Sequence, residues 1–193
     1  DSGRDRLHPD QRPVIRIISG EHKGRRLRAP KNLPVRPTTD RAKEALFNIL
    51  AHQIAWEEAS VLDLFAGTGN ISYECASRGC QEVIAVDAHA GCVKFIERTA
   101  SALDMPISVY KRDVEKFLKQ GAQSFTLIFA DPPYDISAEM LQELVLLCRD
   151  GHLLREQGQL VIEHSPHRDL SALSGFQQVR KYGNTHFSFF SWD

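Results

Sequence analysis

The stretch Val61-Leu-Asp-Leu-Phe-Ala-Gly-Thr-Gly69 decides the fold of this 193-residue chain. Residues 61–65 form a short apolar run, as expected of a strand buried on both faces of a sheet. Gly67 and Gly69 then turn the chain, residues 70–78 read as a helix, and Gly79 closes it. Downstream the alternation repeats. Strands are expected at residues 82–87, 107–110, 125–129 and 158–163, with helices at 90–103, 114–119 and 138–148 between them. Leu141, Leu144, Val145 and Cys148 make one apolar stripe along the last of these helices. Strand and helix in alternation argue for a parallel sheet covered on both faces. Residues 176–182 and 185–192 instead have period two and are joined by Gly183-Asn184, so the sheet is expected to end in an antiparallel hairpin.

Upstream of this core, residues 14–18 and 25–28 flank the glycine-bearing stretch 19–24 and read as a second, smaller β-hairpin. Pro30, Pro34 and Pro37 make residues 29–37 an extended linker. Thr38, Thr39 or Asp40 can cap a helix over 39–53, where Ala42, Ala45, Leu46, Ile49 and Leu50 fall at helical spacing. Residues 1–13 are polar, without the apolar centre of a signal peptide, and are expected to form a disordered tail. The chain thus divides into that tail, a basic hairpin and linker over 14–37, and the main α/β domain over 38–193.

The balance of 42% hydrophobic and 25% charged residues is that of a globular domain, not a disordered chain. No apolar stretch approaches the roughly 18 residues that span a bilayer, so no membrane partner and a cytoplasmic location are expected. Cys75, Cys80, Cys92 and Cys148 form no CxxC pair, and the histidines show no HxH or HxxxH spacing. Reduced, buried thiols and no metal site are expected. The net charge of −1 conceals an asymmetry: residues 1–43 carry a surplus of seven positive charges, and the rest a deficit of eight. A basic end on an acidic body points to a polyanion partner.

Open α/β sheets bind ligands beyond the carboxyl ends of their strands. Acidic residues stand there on four successive strands: Asp63, Asp87, Asp113 and Asp131. The GxG of Gly67 and Gly69 lacks the third glycine of the dinucleotide fingerprint, because Ser72 occupies that position. Asp87 suits the ribose hydroxyls of a nucleoside cofactor, which leaves NAD and S-adenosylmethionine both open. Asp113 reads equally well as a helix N-cap.

Asp131-Pro132-Pro133-Tyr134 separates the two. Its prolines hold φ near about −65° and remove two backbone donors, leaving carbonyls free to accept. Asp131 adds a carboxylate acceptor and Tyr134 a flat amphipathic ring. Together they suit a planar ring bearing an amino group: stacking on the face, acceptors for the amino hydrogens. The lone pair of such an amine is delocalised into its ring, and acceptors on its hydrogens help aim that pair at an electrophilic methyl group. The motif does not choose between guanine and adenine.

Residues 61–69 with Asp87 resemble the cofactor half of class I methyltransferases, and residues 131–134 resemble their amino-methylating motif. Arg16-Ile-Ile-Ser-Gly20, Gly24-Arg-Arg-Leu27, Arg36-Pro-Thr-Thr-Asp-Arg41, Glu44-Ala-Leu-Phe-Asn48 and Lys181-Tyr-Gly183 are similar to RsmD-type 16S ribosomal RNA guanine-N2 methyltransferases. The resemblance implies a Rossmann-like, mostly parallel seven-stranded sheet, with S-adenosyl-L-methionine as donor. It also implies a guanine N2 of 16S ribosomal RNA as acceptor, free or in an assembling small subunit, with no obligate protein partner evident. Asp63, Phe65, Gly67, Gly69, Asp87, Asp113 and Val114 would border the cofactor. Asp131, Pro132, Pro133 and Tyr134 would hold the extruded base. Arg16, Lys23, Arg25, Arg26, Arg28 and Arg36 would grip phosphates, and Arg36 and Thr38 could also reach the site. Competing expectations are an adenine-N6 methyltransferase, an inactive RNA-binding or assembly protein of this fold, and an NAD-dependent oxidoreductase.

Charge reversal of Arg25 and Arg26 together is expected to weaken RNA binding while leaving cofactor affinity unchanged. Filter binding of RNA beside calorimetric titration of S-adenosylmethionine checks this, and an equal loss of both would refute the division of labour.

Overall fold

The computed structural model describes residues 13–35, 38–121 and 123–192. A small antiparallel hairpin comes first, β1 (Val14–Arg16) and β2 (Arg26–Arg28), followed by helix α1 (Asp40–Ala51). The α/β body then runs β3 (Ser60–Leu64), α2 (Asn70–Ser77), β4 (Glu82–Asp87), α3 (Ala90–Ala102), β5 (Ile107–Lys111) and α4 (Val114–Lys119). It continues through β6 (Phe125–Ala130), α5 (Ala138–Asp150), β7 (Leu154–His164), β8 (Phe176–Tyr182) and β9 (Thr185–Phe190). The larger sheet has the order β5-β4-β3-β6-β7-β9-β8, with β9 antiparallel to both its neighbours. The expected doubly wound sheet with a terminal hairpin is therefore the observed one. Chain order reverses beside β3, so the ends of β3 and β6 flank the switch point where such sheets bind ligands.

Burial explains the central strand. All five residues of β3 are buried, and its side chains alternate between two apolar cores. Val61 joins Leu46 and Phe47 of α1, Ile71 of α2 and Ile96 of α3, a cluster that also takes in Ile15 and Ile17 of the N-terminal hairpin. Leu62 and Leu64 face Val114 and Leu118 of α4 and Leu141, Leu144 and Val145 of α5. Among the described residues no helix is long and apolar enough to cross a membrane.

Several boundaries differ from the sequence reading. The fifth parallel strand begins at Leu154, four residues before the expected start, because a bulge breaks its alternation: Phe125 pairs with Leu154, but Leu127 pairs with Gln159. Gln157 sits at φ 62°, and a Cβ on Gly158 would lie 2.9 Å from the Phe125 carbonyl oxygen. The last strand stops at Phe190, and Trp192 turns away, its indole N–H donating to Ser174 (3.2 Å). Helix α1 begins after Thr39, whose hydroxyl accepts from Ala42 N (3.2 Å). It ends at Ala51, two residues short of the expected end. β1 is shorter than its apolar run because Ile18 N donates to Glu74 Oε1 (2.8 Å).

That last bond belongs to a buried ionic network. Lys43 of α1 and Glu74 of α2 are both fully buried, with Nζ and Oε1 3.1 Å apart. Lys43 Nζ also donates to Arg16 O (2.8 Å) and Asn70 Oδ1 (2.7 Å). Glu74 Oε2 accepts from Ser19 N and from Arg78 Nε, each at 3.0 Å. Burial lowers the Lys43 pKa, and the Glu74 carboxylate opposes that shift.

Removing one charge leaves the other stranded. Glu74→Gln is expected to cost about 3–5 kcal/mol in chemical denaturation, whereas Lys43→Met combined with Glu74→Leu recovers most of the loss. An unchanged unfolding midpoint in Glu74→Gln would show that the pair contributes nothing.

Candidate active site

One cavity of about 820 Å³ opens at the carboxyl ends of β3, β4, β6 and β7. Its size is that of a small-molecule site. Asp63, Phe65, Gly67, Asp87, Asp113, Val114, Asp131, Pro132, Pro133 and Tyr134 all line it. Gly69 does not line it. Gly69 is buried at φ 90°, and a Cβ there would lie 2.7 Å from the Tyr73 ring, so this glycine serves the turn and the packing of α2.

The turn after β3 is held from the neighbouring strand. Gly67 N donates to Asp87 Oδ2 (2.9 Å), and Asp87 Oδ1 accepts from His89 N (2.8 Å). Phe65 adopts φ 56°, a conformation unusual for a non-glycine residue and found most often where a site constrains the backbone. Asp63 lies at the floor, its Oδ2 accepting from the Ser72 hydroxyl at 2.6 Å. Burial pushes its carboxyl from 3.8 up to about 7 against the pull of Ser72, and Asp87 and Glu163 add to the push. Asp113 caps α4, accepting from Lys116 N (3.1 Å), while also lining the cavity beside Val114.

On the other side, Asp131 follows β6 and its backbone N donates to Leu64 O (3.3 Å). Tyr134 is 66% exposed, an open ring at the mouth. Arg168 donates through Nη2 to the carbonyls of Ile136 and Tyr134, fixing the loop that carries the motif. Arg168 is distant in sequence, and no local pattern announced it.

Glu163 was also missed. It stands near the end of β7, lines the cavity, and accepts from the Thr38 hydroxyl at Oε1 (2.8 Å). The strand-end rule that found Asp63, Asp87, Asp113 and Asp131 reaches Glu163 once it is extended to the fifth parallel strand. Burial raises its pKa from 4.5 to about 7, opposed by hydrogen bonds with Thr38 and Asp131. Thr38 thus reaches the cavity, whereas Arg36 lies outside the described residues.

Arg16, Lys23, Arg25, Arg26 and Arg28 are all exposed on the N-terminal hairpin, away from the cavity lining. The hairpin still meets the cavity, since Pro13, Val14 and Ile15 form part of its rim. Cys75, Cys80, Cys92 and Cys148 are free and buried. Among the described residues no three His, Cys, Asp or Glu gather as a metal ion would require.

The lining suits a cationic nucleoside. Asp63 is a buried acid held by the hydroxyl and backbone N–H of Ser72, with no cation paired to it among the described residues, so an ammonium or another donor would relieve it. Asp87 faces the same space, with acceptor capacity beyond its two backbone donors, and Phe65 and Val114 supply apolar wall. Fold and cavity together define a class I methyltransferase, whose methyl donor is S-adenosylmethionine.

Within that class the chain belongs to the family described as Conserved hypothetical protein 95, the RsmD family, which matches residues 15–191. It is similar to the Putative rRNA methyltransferase YlbH of Bacillus subtilis, with 34% identity over 166 residues covering 83% of this chain and 88% of that protein. It is also similar to Ribosomal RNA small subunit methyltransferase D of Escherichia coli strain K12, with 33% identity over 150 residues, 77% of this chain and 74% of that protein. The solved structure of the putative methyltransferase yhhF from Escherichia coli superposes with a TM-score of 0.81 at 27% identity, covering 92% of this chain and 97% of that one.

Because the folded-state pKa of Asp63 lies above its ordinary value, the native protein keeps a proton that the unfolded chain releases between about pH 4 and about pH 7. Stability from this group falls as pH rises through that window. Asp63→Asn keeps an acceptor for Ser72 without the charge. It is expected to raise the Tm of the ligand-free protein, more at about pH 8 than at about pH 5, while weakening S-adenosylmethionine binding. A lower Tm at the higher pH would mean that a cation, not a hydroxyl, holds this carboxylate.

Proposed function

We propose that this chain transfers the methyl group of S-adenosylmethionine to the exocyclic N2 amino group of a guanine in 16S ribosomal RNA, in the cytoplasm. The observation that carries the reading is that residues 131–134 share one cavity with the strand-end acids Asp63 and Asp87. The family relatives named as small-subunit ribosomal RNA methyltransferases support the RNA and its subunit.

The bound cofactor supplies an electrophilic methyl group on a cationic sulfur. Asp63 and Asp87 hold its polar ends, and Phe65 and Val114 its apolar flank. Tyr134 stacks on the base, which must leave its helix to reach the cavity. Asp131 and the Pro132 carbonyl accept the amino hydrogens, so the nitrogen lone pair points away from both acceptors. Arg168 keeps the motif loop in position through the Tyr134 and Ile136 carbonyls. Outside the cavity, Arg16, Lys23, Arg25, Arg26 and Arg28 engage phosphates without reading sequence, and Arg36 is assigned the same role.

The test is methyl transfer from labelled S-adenosylmethionine to RNA and small subunits taken from cells lacking the enzyme. N2-methylguanosine is expected in the nucleoside digest. Asp131→Ala is expected to lower its formation by about 100-fold or more, with cofactor affinity retained. N6-methyladenosine would overturn the base assignment.

A further inference from the structure

We infer that Glu163 reads the N1–H of the target guanine and so selects guanine over adenine, an inference that rests on the reaction proposed above. Asp131 and Glu163 lie at matching heights on neighbouring parallel strands. Ala130 of β6 pairs with Ile162 of β7, and the next residue along each strand is the carboxylic acid. Neighbouring strands run about 4.8 Å apart, so two acceptors stand side by side at the cavity wall. Both carboxyl groups line the cavity with Pro132 and Tyr134. Thr38 holds Glu163 Oε1 at 2.8 Å, which orients the carboxyl group before any base enters.

The Watson–Crick edge of guanine presents two adjacent donor groups, N1–H and the N2 amino group. Adenine presents its amino group beside a bare N1 lone pair. An amino group held by Asp131 therefore brings N1 to the neighbouring acceptor. Guanine places a hydrogen there, whereas adenine sets a lone pair against a carboxylate oxygen. The amino-holding motif alone accepts either base, so the choice falls to the residue beside it. A site built to receive a hydrogen-bond donor rejects a ligand lacking it, because its own buried polar group is left unpaired. Glu163 would be a specificity-determining residue, with Thr38 positioning it.

The probe is 2-aminopurine riboside, which keeps the 2-amino group and has a bare N1. Its binding is followed by fluorescence, with guanosine as competitor, on the full chain saturated with S-adenosylhomocysteine. Wild type is expected to prefer guanosine by about tenfold or more. In Glu163→Gln the preference is expected to collapse to within about twofold, because an amide offers either an oxygen or an N–H to N1. Glu163→Gln also keeps an acceptor for Thr38, and the ratio is internal to each variant, so partial loss of folded protein cancels. A tenfold preference that survives in Glu163→Gln, or no preference in wild type, overturns the inference. The nucleoside digest separates the two levels. N2-methylguanosine from wild type with an unchanged ratio in Glu163→Gln overturns only the role of Glu163, whereas N6-methyladenosine overturns the guanine reading and this inference together.

Discussion

The buried pair of Lys43 and Glu74 sets the relation of every N-terminal element to the catalytic body. Two charges without solvent are tolerated only if nearly all their hydrogen-bonding capacity is used, and here the partners come from separate parts of the chain. The Lys43 ammonium meets a carbonyl of β1, the side chain of Asn70 at the start of α2, and Glu74. Glu74 in turn receives the backbone of Ile18 and Ser19, with Arg78 outside it stacked over Phe47 at 4.7 Å. Any displacement of the hairpin would strand a buried charge. The backbone confirms how closely it is seated: a Cβ on Gly20 would fall 1.9 Å from the Ser77 carbonyl oxygen. The hairpin is thereby held against α2, with its first residues at the cavity rim.

A body so tied can carry an unfavourable site. Asp63 and Glu163 are acids whose burial resists ionisation, and Phe65 is held at positive φ. Each opposes stability in the ligand-free protein. Each also faces the cavity, where a cation or a base edge would satisfy it. Positive φ is not confined to this place, since Asp104 and His152 adopt it at the opposite end of the sheet, so it is the pair of desolvated acids around one cavity that marks the site.

The α/β body was legible because its signals are local. An apolar run, a glycine turn and a capped helix lie within about ten residues of one another, and four strand-end acids could be placed by that pattern alone. What escaped depends on long-range placement. Glu163 ends a strand the sequence does place at 158–163, but its link to the site runs through Thr38, 125 positions away, and through its register beside Asp131. Arg168 acts on residues 32 and 34 positions away, Thr38 was expected near the site but its partner lies 125 positions off, and nothing in the spacing of α1 singles out Lys43. Gly69 shows a second role that spacing does not reveal. It belongs to the recognisable turn, and its left-handed conformation also leaves room for the Tyr73 ring packed against it.

The charge asymmetry between the two ends of the chain now has a spatial meaning. The cavity is lined by Asp40, Asp63, Asp87, Asp113, Asp131 and Glu163, with Arg112 and Arg168 as the charged bases among them. Such a lining attracts a sulfonium and accepts N–H groups, but it repels phosphates. The exposed arginines of the hairpin do the reverse. On the function proposed, a nucleic acid drawn to the hairpin would keep its phosphates at the rim and offer the cavity a base, whose edge carries N–H donors and no charge. Separation of charge along the sequence would thus become separation of tasks in space, with the Lys43–Glu74 pair tying α1 and the hairpin to α2.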